Sequence, residues 1–137
     1  MTPEPQRVAY IPTDRENGLE NVPVLDQVRF DHLMDIAGPD HASELLRRLR
    51  LDLESVQDKL LSAQSPTDPA QLHSQTHVLI ALAGAVGAVR LQHTAEAVSV
   101  LARHRDTAGA SRLMPGLLED LDTLIDFVSE RLAGMGG

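Results

Sequence analysis

Six apolar residues, Ala42, Leu46, Leu49, Leu53, Val56 and Leu60, follow one another at alternating intervals of four and three. That alternation averages to the helical turn and keeps all six on one stripe; a strand requires a period of two. Closely similar spacing returns three times, in Leu72, Thr76, Leu79, Ala83 and Val86, in Ala88, Leu91, Ala95, Val98 and Ala102, and in Leu117, Leu121, Leu124, Val128 and Leu132. Each stripe needs another apolar surface to cover it, so the chain is constrained to pack helix on helix. The expected fold is all-α: an antiparallel up-and-down four-helix bundle, with a short extra helix in front of it.

Local signals set the expected boundaries. Residues 1–24 read as an irregular N-terminal arm, punctuated by Pro3, Pro5, Pro12 and Pro23 and by an Asn17-Gly18 turn, with Arg7-Val-Ala-Tyr-Ile11 able to lie along the body. The bundle itself is expected over residues 25–133, followed by a flexible tail at 134–137. A short helix from Asp26 to Ala37 draws apolar surface from Val28, Phe30, Leu33, Met34 and Ile36 and ends at Gly38-Pro39. A long helix covers Asp40 to Ala63. After the loop Gln64–Asp68, Asp68 suits the N-cap, Pro69 the first helical position and Gln71 a capping box. The third helix runs to about Gly84, and Gly84-Ala-Val-Gly87 reverses the chain, with Gly84 and Gly87 as turn glycines. A fourth helix spans about Ala88 to His104. Asp106–Ser111 reads as a loop. The last helix falls within Ser111–Leu132 and starts late, because Pro115 belongs in a first turn.

Composition narrows the function. A net charge of −8 argues against nonspecific binding to nucleic acid or to an anionic membrane, both of which require a basic face. With no cysteine there is neither a disulfide framework nor a thiolate metal site, as suits a cytoplasmic protein. No apolar run reaches the ~20 residues that span a bilayer, and MTPEPQRVAY lacks the pattern of a signal peptide. No glycine-rich loop cradles phosphates, so the chain does not use ATP itself.

The residues that carry chemistry lie between His77 and Leu91. His77 sits about 140° round the helix from Leu72, outside the buried stripe. Its neighbours one turn away are His73, Ser74, Ile80 and Ala81, with Gly84 a further turn along, all but His73 and Ile80 small. An imidazole is a good neutral nucleophile near pH 7, and small neighbours let another protein approach it closely.

The stretch resembles the signature of histidine-containing phosphotransfer (HPt) domains, roughly His-x-Leu-Lys-Gly-x-Ala-x-x-x-Gly-Ala-x-x-Leu. His77, Leu79, Ala83, Gly87, Ala88 and Leu91 match it without a gap, and the likeness extends over residues 25–132, including Phe30-Asp-His-Leu33 through Gly38-Pro-Asp40. The resemblance implies a cytoplasmic phosphorelay intermediate of two-component signal transduction. His77 accepts a phosphoryl group from a receiver-domain aspartyl phosphate and passes it to another receiver. The partners are response-regulator receiver domains and a hybrid histidine kinase. Mg²⁺ belongs to the receiver and this chain holds no cofactor, a phosphocarrier rather than a stand-alone enzyme. His73, Ser74, Ile80, Ala81 and Gly84 are the expected receiver-docking surface. The chain departs from the pattern twice: Ile80 replaces the lysine that neutralises phosphate, and Ala81 replaces a glycine. Arg90 is the candidate for a replacement charge.

Two other readings stay open. A degenerate module docks receivers or a kinase without carrying phosphate, as Ile80 suggests. Alternatively, His73 and His77, four apart, ligate a metal ion with His93 across the hairpin, although the sequence between them lacks the glutamate of His-Glu-x-x-His hydrolases. Arg47, Arg48 and Arg50 read as a solvated helix face.

Overall fold

The computed structural model describes residues 24–64 and 67–135. Residues 1–23 of the expected arm and the last two residues of the expected tail lie outside the described residues. Five helices account for nearly all of the rest: α1 (Gln27–Ala37), α2 (Pro39–Ala63), α3 (Pro69–Val86), α4 (Val89–Arg103) and α5 (Thr107–Gly134). Among the described residues the sole extended pairing is an isolated bridge between Gln64 and Thr67. None of these helices is long and apolar enough to cross a membrane.

Every member of the four apolar stripes is buried. Leu46, Leu53, Leu60, Leu79, Leu117 and Leu121 are sealed from solvent, each such side chain contributing about 2 kcal/mol by leaving water. α2 packs on α3 and α5, α4 packs on the same two, and α1 lies across α2 and α3. The four long helices therefore enclose one core, and α3 and α4 run side by side over most of their length.

The caps follow the sequence closely at some ends. Asp26 accepts from the Arg29 amide and Asp68 from the Gln71 amide, both at 3.2 Å, and Pro69 opens α3. The Asp68 amide donates to the Ala63 carbonyl at 2.7 Å, so the reciprocal half of a capping box is not needed. Gly38, at φ 82°, ends α1 and begins α2 one residue before the expected start.

Four expectations are corrected. Gly84 is helical: α3 continues to Val86, and Gly87 alone turns the chain at φ 84°. A Cβ on Gly87 would stand 2.8 Å from the Asp26 carbonyl oxygen and 3.0 Å from the Arg29 Cβ, so the same glycine lets α1 lie close over the hairpin tip. The expected loop over Asp106–Ser111 is mostly helix, because Asp106 caps the Gly109 amide at 2.9 Å and α5 starts at Thr107. Pro115 therefore sits inside α5, on its exposed side, where water can serve the carbonyl it leaves without a donor. Gly134, placed in the tail by sequence, is the last residue of α5.

In α1 the burial falls on Phe30 and Met34, while Val28 and Ile36 are exposed. Phe30 meets Phe127 of α5 edge to face, with centroids 4.9 Å apart. The Arg131 guanidinium lies 5.0 Å from the centre of the Phe30 ring and bonds Asp31 at 2.8 Å. α1 is thus fixed through its middle to α5 and at its N-terminus to the α3–α4 turn, where the Asp26 amide donates to the Gly87 carbonyl at 2.7 Å.

Candidate functional site

His77 is the ninth of the eighteen residues of α3 and is exposed midway along it. The helix presents it because Leu72, Thr76, Leu79, Ala83 and Val86 take the buried stripe and leave the opposite edge to residues 73, 77, 81 and 84. Thr76, beside it in sequence, is fully buried and returns its hydroxyl to the Leu72 carbonyl at 2.7 Å, so it makes no demand on other helices. Ser74 and Ala81 are exposed, and nothing larger than a methyl projects from Ala81.

His73 is half-buried, and α4 holds it. Its Nδ1 lies 3.1 Å from the Ser99 hydroxyl and 3.3 Å from the Ser99 carbonyl oxygen. A carbonyl only accepts, so the contact to it favours the neutral tautomer with the proton on Nδ1 and the lone pair on Nε2. The His73 and His77 rings stand 6.5 Å apart between centroids, tilted by 35°. Ser99 is buried and was not anticipated in this role. The hairpin at Gly87 lays α4 back along α3, which brings Ser99 against His73 and Gln92 against Gly84.

The remaining expected surface residues are less bare than their size suggests. Ile80 is half-buried against the core, so the position that lacks a cation is used for packing. A Cβ at Gly84 would come within 3.1 Å of the Gln92 amide nitrogen, and the Arg29 guanidinium of α1 donates to the Gly84 carbonyl. Arg29 is therefore the cation anchored at the end of the His77 edge, two turns further along α3.

Arg90, the candidate charge beside His77, is engaged elsewhere. It faces α5 instead, where Nε and Nη2 bond the two oxygens of Asp120 at 2.9 and 2.8 Å. Both side chains are largely buried, and α4 and α5 pack around the pair. The hydrogen bond to Asp120 raises the Arg90 pKa above its ordinary value, outweighing burial, which works in the other direction. Its third nitrogen, Nη1, is buried and unpartnered among the described residues.

For the metal reading, no group of three or more histidine, cysteine, aspartate or glutamate side chains among the described residues is placed to hold an ion. His93 pairs instead with Glu96 on its own helix, at 3.6 Å. Arg48 pairs with Asp52 at 3.5 Å on the exposed side of α2.

Comparison with known proteins gives no family. No family model matches the chain, and no curated protein or solved structure matches it significantly. The geometry around His77 is therefore the ground on which function is argued.

Proposed function

We propose that the chain is a phosphorelay intermediate of the HPt type, working in the cytoplasm with His77 as phosphoacceptor. On this reading α2–α5 form an antiparallel up-and-down four-helix bundle and α1 is the extra N-terminal helix. The observation that carries the reading is the exposed imidazole halfway along α3, bordered by Ser74 and Ala81 and open to a partner's surface. A neutral ring nitrogen of His77 attacks the phosphorus of a receiver's aspartyl phosphate in line. The bond from phosphorus to the aspartyl oxygen breaks, the carboxylate is restored, and the ring's other nitrogen keeps its proton. Mg²⁺ and most of the charge stabilisation come from the receiver, because this chain brings neither a nucleotide site nor, at position 80, a cation. Passing the group to a second receiver reverses the same step.

A second reading has an observation of its own. Arg90 is committed to Asp120 and Ile80 to packing, which suits a module that docks receivers or a kinase without accepting phosphate. Incubation with phosphorylated receiver domains separates the two. Acid-labile label on the wild-type chain, absent from His77→Gln, supports transfer. Binding of receivers without label supports docking alone, and neither label nor binding sinks both.

A further inference from the structure

A groove of about 360 Å³, with His77 not among its lining residues, lies between the start of α1, the first turn of α4 and the middle of α5. Leu25, Leu91, Leu124 and Phe127 give it apolar walls, and Gln27, Asp120 and Thr123 are its polar groups. We propose that this groove seats Tyr10 and Ile11 of the chain's own N-terminal segment.

Three observations point to that occupant. Val24, where the described chain begins, is itself part of the wall, so the preceding residues are delivered to the groove at high effective concentration. Within residues 1–23 the one run of four apolar residues is Val8-Ala-Tyr-Ile11. The residues from Pro12 to Pro23 that connect it to Val24 carry an Asn17-Gly18 turn signal and extend to roughly 40 Å, ample for a return. The polar groups also suit a tyrosine. Each Asp120 oxygen accepts one bond from Arg90 and retains a lone pair for a phenol donor. Charge agrees: Arg7 precedes the run, and Glu119 and Asp126 are exposed on α5 about one turn to either side of Thr123. The inference is independent of any role for His77.

Tyr10 is the single tyrosine and the chain has no tryptophan, so intrinsic fluorescence reports on this residue alone. Acrylamide quenching of the full chain is expected to be several-fold weaker than that of N-acetyltyrosinamide, and unchanged on tenfold dilution. Thr123→Glu, at an exposed position on the groove's rim, and separately Ile11→Asp in the arm, are expected to restore quenching to nearly the free value. Circular dichroism should show the helices intact in both. Quenching of the wild type equal to that of the free compound overturns the proposal. So does shielding that survives both variants, which places Tyr10 elsewhere. Shielding that fades on dilution assigns the groove to the arm of a second copy and equally overturns it.

Discussion

Gly87→Ala tests the hairpin tip most directly, because two separate penalties meet there. Holding a residue with a Cβ at φ 84° costs about 1–2 kcal/mol. The added methyl also stands 2.8 Å from a backbone oxygen, that of Asp26, which cannot rotate away as a side-chain end can. α1 must shift, and the Asp26 amide then loses the Gly87 carbonyl, a further ~1 kcal/mol. Together these give a loss of about 2–4 kcal/mol, or a melting midpoint lower by roughly 10 °C or more. Thermal and urea unfolding followed by circular dichroism measure it, with Gly84→Ala as the matched control. At Gly84 the new methyl meets only the end of the flexible Gln92 side chain, so its cost should stay under about 1 kcal/mol. Gly87→Asn divides the two penalties. Asparagine tolerates the left-handed region but still carries a Cβ, so a loss equal to that of alanine assigns the effect to collision with α1. A Gly87→Ala loss no larger than that of Gly84→Ala would refute the close approach of α1.

Further expectations follow from particular contacts. Asp120→Ala leaves Arg90 buried without its carboxylate and should cost about 3 kcal/mol in urea unfolding, with part recovered when both residues are leucine; a change below 1 kcal/mol would show that the pair is not structural. Arg90→Ala should likewise act on stability, leaving the rate of any phosphoryl transfer per folded molecule unchanged. Gly116→Ala, on the exposed side of α5 where a Cβ meets nothing within 4 Å, should stabilise by about 0.5–1 kcal/mol. Ring ¹⁵N chemical shifts should find neutral His73 protonated at Nδ1, and Ser99→Ala should weaken that preference.

The core was legible in sequence because leucine and alanine at intervals of three and four can satisfy their burial in only one helical face. Leu72, Leu79, Ala83, Leu91 and Leu121 are buried as that period requires. Asp68-Pro69 likewise marks a helix start by local chemistry alone, as observed. What escaped depends on contacts distant in sequence. Arg90 lies near the hairpin and might have faced either α3 or α5; only the position of Asp120, thirty residues on, decides it. α1 is short enough that Val28 and Ile36 satisfy the same pattern as Phe30 and Met34, and packing on Phe127 selects the latter. Pro115 misled for another reason: its helical penalty is real, but a strong cap at Asp106 and the buried Ala110, Met114 and Leu117 outweigh it. Around His77, exposure followed from the period, whereas the grip of Ser99 on His73 needed the register of α3 against α4.

α1 touches parts of the chain that are otherwise remote. Through Asp26 it holds the Gly87 turn, and through Asp31 and Phe30 it holds Arg131 near the end of α5. It therefore behaves as a clasp whose N-terminal half joins the hairpin tip to the end of α5. Amide exchange should open it as one cooperative unit, ahead of the core. Loosening either contact, at Arg131 or at Gly87, would then release the other, and with it the Arg29 contact at the edge that carries His77.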